Sequence, residues 1–593
     1  MNIAERIETD RSSNACFLLH KCKSIAKSIK ARTQRALLHS SFDIGGNALP
    51  ESTVRLLVEA YFRTFESVYR ILHRPSFWRE YRLYWDGPSR TANEAFVIQL
   101  KLCMAIGACF HDGLSMNRQS LAAKWIYEAK MWLVSPEETA LMSFEGLQIM
   151  CLLHIARETW GVGSELGWVS AGSILRVAMQ MGLHRDPDNL SKMPTLHAEI
   201  RRRLWATVLE MVLQSSMDSG GPPLVTVSDF DTRQPSNFDD EQLTENEQPP
   251  PVPRPLSSFT QTTVQLALLR SFPTRLAIAQ YVSHFNTASS YEVTLRWNSE
   301  LTNACRALSA TLHPSYDPAG VLPKRLSLFQ LRLAEHMVHR FFLALNHPWL
   351  AQNNPAYYFA RKMCIETALK LYRAIATGSP AGDSGTASQT DDFTRLATCG
   401  HGAFRSVPML AVLSICLELL WQVQEDQSFR QSMDIDHQLE RSGSSGDNDV
   451  GAPGAIGSGA APRQDLFDAV KYAITWTERR IMAGETNIKG RLFYSALLTQ
   501  VHGLQRGAAD AEIEQLVLST LDGDLEHCWH LLKDIEAATP GSSPGLDSHE
   551  TGDWDWDNSV SCEVLTASPL PALPICLIVY FSNFFANSDL RRG

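Results

Sequence analysis

Apolar residues along this chain recur at helical spacing through nearly every long ordered stretch. Val54 to Tyr69 places Leu57, Tyr61, Phe65 and Val68 four, four and three residues apart, one face of a helix. The same period predicts helices over Ala95–Phe110, Leu121–Leu133, Leu141–Arg157, Leu266–Ser283, Leu326–Asn346, Ala360–Thr377, Pro408–Gln424 and Gln464–Met482. Strand-like alternation is scarce, and Leu224–Val227, after a proline pair, is the one short extended candidate. The expected fold class is all-α, a large multi-helix domain with disordered linkers and tails.

Composition marks the breaks. Glu241–Ser258 is acidic and then proline-rich, 377–390 is rich in Gly, Ser, Ala and Asp, and Arg441–Ala461 is low-complexity and expected to be disordered. The expected organisation is a basic N-terminal segment and lead-in helix over 1–49, a large helical core over 50–380, C-terminal helices of the same unit over 381–540 with a disordered insert near 441–461, and an acidic, aromatic tail with an apolar end over 541–593.

The region Gly163–Asp240 holds the most information. Trp168, Ala171, Leu175, Ala178 and Met181 form one helix face, with Gly182 as its C-terminal cap and Pro187 barring continuation. A second helix is expected from Thr195, read as its N-cap. Ile200, Leu204, Val208 and Met211 are its buried face, Trp205 an anchor, and Glu199–Arg203 a spaced ion pair. Gly220, Gly221, Pro222 and Pro223 end it. Arg201, Arg202 and Arg203 splay over about 200° of helix, too wide for one phosphate-binding face. Their expected role is a solvated face with inter-helix salt bridges; contact with a ligand or partner, or directly with DNA, is the alternative. His184-Arg185-Asp186 reads as a structural turn in which Asp186 pairs with a nearby arginine.

Net charge is −10 over 593 residues, so the whole chain is not an electrostatic nucleic-acid binder. The twelve cysteines are thinly spread, several in apolar helical runs (Cys103, Cys109, Cys151, Cys416), which argues for a reducing compartment and against a disulfide framework. The N-terminus lacks a signal-type apolar core. Pro571 and Pro574 interrupt the late apolar run Leu570–Phe585, where a spanning helix needs about 18 continuous apolar residues, so no membrane partner is expected.

Enzyme motifs fail on context. Gly161-Val-Gly163-Ser-Glu-Leu-Gly167 has its third glycine one place late for a dinucleotide loop and no alternating strands and helices around it. Gly541-Ser-Ser543-Pro-Gly545 matches a nucleophile elbow in letters only, because it sits in a Ser/Gly/Pro linker. No enzymatic activity is expected.

Two further segments carry candidate chemistry. Lys21, Lys23, Lys27, Lys30, Arg32 and Arg35 lie on a basic amphipathic helix whose apolar stripe is Leu18, Cys22, Ile25 and Ile29. It can dock with a solvated lysine face, be read for nuclear import, or contact DNA phosphates or a helix-binding partner. Asp553, Trp554, Asp555, Trp556 and Asp557 alternate acid and indole. They form either a candidate activation segment for a coactivator groove or a simple acidic tail.

AMQMGLHRDP, followed by EIRRRLWATVLEMVLQSSMDSGGPP and DFDTRQPSNFDD, resembles the fungal-specific transcription factor domain, the middle homology region of binuclear zinc-cluster regulators. Ser67–Tyr81, with its His-x-Pro-x-Phe pattern, resembles that family's opening segment, and Gln265–Ala279 and Phe341–Leu350 resemble its later helices. The likeness covers roughly Val54–Cys364. One departure is Gly221, where the family often has arginine. Another is that the six-cysteine Zn2Cys6 cluster is not found in this sequence, so zinc is implied by the family only and no cofactor is expected in this chain.

The resemblance implies a nuclear transcription regulator of RNA polymerase II genes, for example of a metabolic or secondary-metabolite pathway. It implies DNA as a partner through a second subunit or a longer form, a coactivator, a small-molecule effector, and homo- or heterodimers. The alternative is a DNA-free co-regulator or scaffold.

Overall fold

The computed structural model describes residues 14–39, 49–86, 93–111, 118–134, 141–245, 249–284, 290–312, 326–376, 391–441 and 463–539, without the side chains of 34–39, 165 and 430–441. It is all-α, and no sheet forms among these residues. Leu224–Val227 is irregular rather than extended pairing, with Leu224 and Val227 exposed. The low-complexity insert beyond Arg441 and the acidic-aromatic candidate lie outside the described residues.

The helices in chain order are α1 (Asn14–His39), α2 (Glu51–Arg63), α3 (Glu66–Tyr69), α4 (Arg74–Asp86), α5 (Glu94–Ala108), α6 (Arg118–Leu133), α7 (Phe144–Trp160), α8 (Gly167–Gln180) and α9 (Thr195–Ser219). They continue as α10 (Thr263–Ser283), α11 (Tyr291–Leu312), α12 (Leu328–Leu350), α13 (Tyr358–Ala376), α14 (Asp392–Cys399), α15 (Ala403–Arg441), α16 (Arg463–Met482), α17 (Lys489–Gln505) and α18 (Asp510–Ala538). The continuous helix expected over Val54–Tyr69 is broken at Thr64 and resumes as α3, yet Leu57, Tyr61, Phe65 and Val68 all stay buried.

Among the described residues there are three large apolar cores and a small fourth cluster of Leu196, Phe238 and Leu243. The first joins α2–α12 with Phe393, Leu396, Phe404 and Trp476. In it α5 is buried on every face, Lys101 included, whose ammonium lies 2.9 Å from the equally buried Glu128 of α6. The second packs α13, α15, α16 and α17 around Val412, Ile415, Leu419 and Leu466. The third seats α1 on α17 and α18 through Leu18, Cys22, Ile29, Leu525 and Leu532. Ala403–Phe429 of α15 is long and apolar enough to cross a membrane, but 72% of its most apolar 18-residue window is buried inside the fold. Its apolarity is accounted for by the second core.

Candidate functional site

The site is a line of buried charges along α9. It begins at the end of α8, where Gly182 takes a left-handed φ of 73° and the Gly182 and Leu183 N–H groups bond back to the Met179 and Ala178 carbonyls. This paired closure ends a helix with its last carbonyls satisfied, and glycine adopts it without a Cβ penalty. Arg201 adds to it from α9, donating Nη2 to the Met181 and Gly182 carbonyls at 3.1 and 2.7 Å. The chain re-enters a helix at Thr195, which is the first helical residue and not its cap; Pro194 holds the N-cap position with no side-chain bond.

Arg202 and Arg203 are buried, so the solvated face expected for the triple arginine is not what forms, although the inter-element salt bridges are. Arg202 forks onto Asp186, with Nη2 2.9 Å and Nε 3.3 Å from its oxygens, and donates Nη1 to Glu199 at 2.9 Å. Glu199 therefore pairs three residues on, not with Arg203 four residues on. Its carboxylate also accepts from the Ser236 N–H and hydroxyl, at 2.8 and 2.9 Å. Asp186 accepts from the Arg233 N–H at 2.8 Å and the Asp188 N–H at 2.9 Å, while its own N–H donates to Asp231. The turn after α8 and the loop before α10 are thus laced together through one guanidinium. Burial alone would raise the Asp186 carboxyl, but the hydrogen bonds from Arg202 and the two N–H groups prevail and lower it to about 2.

Arg203 runs the other way. It donates Nη1 to Asp240 at 2.6 Å and Nη2 to the Thr262 hydroxyl at 3.2 Å. Asp240 is fully buried and also accepts from the Arg70 guanidinium and, at 3.0 Å, from the Arg74 N–H. Its carbonyl lies 3.0 Å from His73 Nε2, while His73 Nδ1 is 2.8 Å from the Ser76 hydroxyl. Burial would raise the Asp240 carboxyl, yet the two guanidiniums hold it well below the ordinary carboxylate range. Arg70 itself sits at φ 57°, a left-handed backbone that costs a non-glycine residue about 1–3 kcal/mol. Next to it Glu66 accepts from Tyr61 Oη at 2.6 Å and from the Ile71 and Leu72 N–H groups, so the turn between α3 and α4 is wound around a buried carboxylate.

A second cluster lies further along α9. Glu210 pairs with both Arg275 Nη atoms at 2.6 and 2.8 Å, and Arg275 is fully buried. Gln214 links Glu210 to the Met337 carbonyl and accepts from Arg340, which also reaches Asp218 at 2.5 Å. So α9 is tied by ion pairs to the turn after α8, α10, α12 and Asp240, and through Asp240 to the α3–α4 turn. Periodicity assigned α9 one buried face, but the structure buries almost all of it from Leu204 to Ser216. The signal for the second cluster was Glu210 and Gln214 inside that apolar run, since polar groups buried there need partners.

The basic N-terminal residues are elsewhere. Lys21 stacks over Phe17 and Trp529, 4.3 and 4.9 Å from their ring centres. Lys23, Lys27 and Lys30 are exposed, and Arg32 pairs with Glu536 of α18 at 3.3 Å. The Arg35 side chain lies outside the described residues. Among the described residues no group of three His, Cys, Asp or Glu side chains is arranged to hold a metal ion.

The buried hub at Asp240 therefore joins two sequence motifs, His73-Arg74-Pro75 and Arg201-Arg202-Arg203, that lie far apart in the chain. Residues 58–307, which contain both, match the fungal specific transcription factor domain. The chain is 32% identical to the transcription factor opdR of Penicillium oxalicum over 98% of its own length and 71% of the relative's. The chain belongs to this family of fungal transcription factors. It is also 34% identical to the transcription factor lepE of Aspergillus flavus, over 89% of its own length and 60% of that protein's. To the aspyridones cluster regulator apdR of Emericella nidulans it is 30% identical over 58% of its length, spanning 47% of the relative. In this family member Arg202 and Arg203 are internal struts.

The acid side of the network gives a test. The Asp186 carboxyl is held at about 2 against an ordinary 3.8, so the stability it contributes is present above 3.8 and is lost as pH falls through 3.8 toward 2. Thermal melting of the wild type is expected to drop more steeply across that window than melting of the Asp186→Asn variant; parallel curves would contradict the Arg202–Asp186 assignment.

Proposed function

We propose that this chain is the regulatory part of a nuclear transcription regulator that controls a secondary-metabolite gene set. The observation that carries this reading is the family match over the domain whose elements converge on Asp240. The cluster-regulator name of one relative supports the pathway class. On this reading α9 and its ion pairs hold the α3–α4 turn, α10 and α12 in one arrangement. A signal is transmitted when an effector or partner binds a second arrangement more tightly, since only differential affinity shifts such an equilibrium. The Asp553–Asp557 segment supplies contact to a coactivator, and zinc-dependent DNA recognition comes from a partner subunit or a longer form. The chain has no catalytic step to perform in this scheme.

Tethering tests it. Fused to a heterologous DNA-binding domain in a fungal host, the chain is expected to change reporter transcription, and replacing Trp554 and Trp556 with alanine is expected to abolish an activating effect. A tethered chain that leaves the reporter at its basal level would overturn the regulator reading. Tight, sequence-selective DNA binding by the untethered chain would overturn the assignment of DNA recognition to another segment or subunit.

A further inference from the structure

Helix α1 is basic along its length and carries no acid. Its apolar stripe of Leu18, Cys22 and Ile29 is seated on α17 and α18. At 100° per residue, Lys23, Lys27 and Lys30 fall within about 60° of one another, on the side away from that stripe. All three are exposed. The helix runs parallel to α18. The Cys22 thiol donates to the Leu525 carbonyl, and further along both helices Arg32 Nη1 donates to the Glu536 carbonyl at 3.1 Å. Arg32 Nη2 also pairs with the Glu536 carboxylate at 3.3 Å. The chain therefore leaves α18, at Thr539, beside the C-terminal half of α1.

The sequence that follows is the charge complement of this face. Asp547, Glu550, Asp553, Asp555 and Asp557 are interleaved with Trp554 and Trp556, and no lysine or arginine occurs between Lys533 and Arg591. The stretch from Thr539 to Asp547 can extend to about 26–29 Å at most. Lys23 lies about 14 Å before Arg32 along α1, and a helix is about 10–12 Å across. The acids therefore reach every lysine of the exposed face. The joining residues Pro540 to Gly545 are uncharged, and so short a tether gives a local concentration of millimolar order. One exposed ion pair is weak, but several made together from a tethered segment reinforce one another. The indoles suit the same face: on this helix Lys21 already lies over the Trp529 ring, 4.9 Å from its centre.

We propose that Asp547–Asp557 docks in cis on the Lys23–Lys27–Lys30 face of α1. One contact then covers both the basic face and the acidic, aromatic segment of the same chain. A coactivator that takes Trp554 and Trp556 must first displace it, and is weakened by the fraction of chains in which it is closed. That masking rests on the coactivator role proposed above; the contact itself does not.

Zero-length carbodiimide cross-linking of the full chain, at micromolar concentration and neutral pH, is expected to join Lys23, Lys27 or Lys30 to carboxylates of 547–557. The links are expected to fall about fivefold or more in 1 M salt, where the screening length is about 3 Å. A variant carrying Asp547→Asn, Glu550→Gln, Asp553→Asn, Asp555→Asn and Asp557→Asn leaves α1 and α18 untouched. In it, acetylation of Lys27 and Lys30 by an N-hydroxysuccinimide ester is expected to quicken about threefold or more relative to Lys533. Absence of the links, links that join isotopically labelled to unlabelled chains and so place a second copy on the face, or acetylation unchanged by the five substitutions would overturn the cis contact. Duplex DNA that shields these lysines equally with and without the five acids would also overturn it, in favour of a phosphate site. Tethered through a DNA-binding domain with its own import signal, the Lys27→Gln/Lys30→Gln chain is expected to activate a reporter about twofold or more above wild type. Equal activation by the two overturns the masking, whereas silence from both refutes the regulator reading and leaves the cross-linked contact standing.

Discussion

Asp240→Ala is expected to cost about 3–5 kcal/mol in chemical denaturation, the largest effect of any single charge in the domain. The substitution does more than remove two ion pairs. It strands the buried guanidinium of Arg203, leaves that of Arg70 with only Glu66, 3.9 Å away, as a carboxylate partner, and frees the Arg74 N–H and the strained Arg70 backbone that the hub holds in place. An uncompensated buried charge is the costly outcome, because its desolvation is no longer offset by a partner. Asp240→Asn keeps the volume and one acceptor oxygen but loses the charge, so it is expected to fall between wild type and alanine. A loss below about 1 kcal/mol for the alanine variant, the size of an exposed surface pair, would show that the hub is hydrated and weak.

Gly107→Ala gives the second large effect, with a sign opposite to helix propensity. In an exposed helix interior, alanine is favoured over glycine by about 1 kcal/mol. Here α5 crosses α2 so closely that a Cβ on Gly107 would lie 1.9 Å from the Leu57 carbonyl oxygen and 2.7 Å from its carbon. Those are backbone atoms, so no rotamer change relieves the overlap and the two helices must part. Overpacking of this kind costs about 1–3 kcal/mol and at times more, which exceeds the propensity gain. Equilibrium denaturation of Gly107→Ala is expected to show a net loss of about 2 kcal/mol; a stabilised variant would mean the α2–α5 contact is looser than described.

The helical class and most helix positions were legible in the sequence because burial of a 3.6-residue stripe leaves a direct mark on residue order. The misses have physical causes. The α2–α3 break is silent because the apolar spacing of Leu57, Tyr61, Phe65 and Val68 carries straight across it; only Glu66, an acid within that stripe, hints that a backbone turn needs an acceptor there. The expectation of a solvated face for Arg201–Arg203 failed because charge was taken as a guide to exposure. Arginine can be buried when carboxylates from remote segments meet it in bidentate geometry, and no local spacing reveals that Asp240 and Asp186 do so. Even the pair expected within α9 was misassigned: Glu199 serves Arg202 and Ser236 because Arg203 is claimed by Asp240. The turn at His184–Asp186 was readable, since Gly182 and Pro187 punctuate it and its acid needed a cation nearby.

The central claim is that the arginines of α9 act as internal struts on a shared buried carboxylate. A double-mutant cycle on Arg203→Met and Asp240→Leu tests it most directly. Arg203→Met leaves Asp240 with Arg70 as its remaining guanidinium partner and Asp240→Leu strands the buried Arg203, whereas the double variant removes both members of the Arg203–Asp240 pair and leaves Arg70 with Glu66 3.9 Å away. The account predicts strongly non-additive losses, with a coupling of about 1.5 kcal/mol or more between the two sites. Additivity within about 0.5 kcal/mol, the behaviour of sites that do not interact, would contradict it.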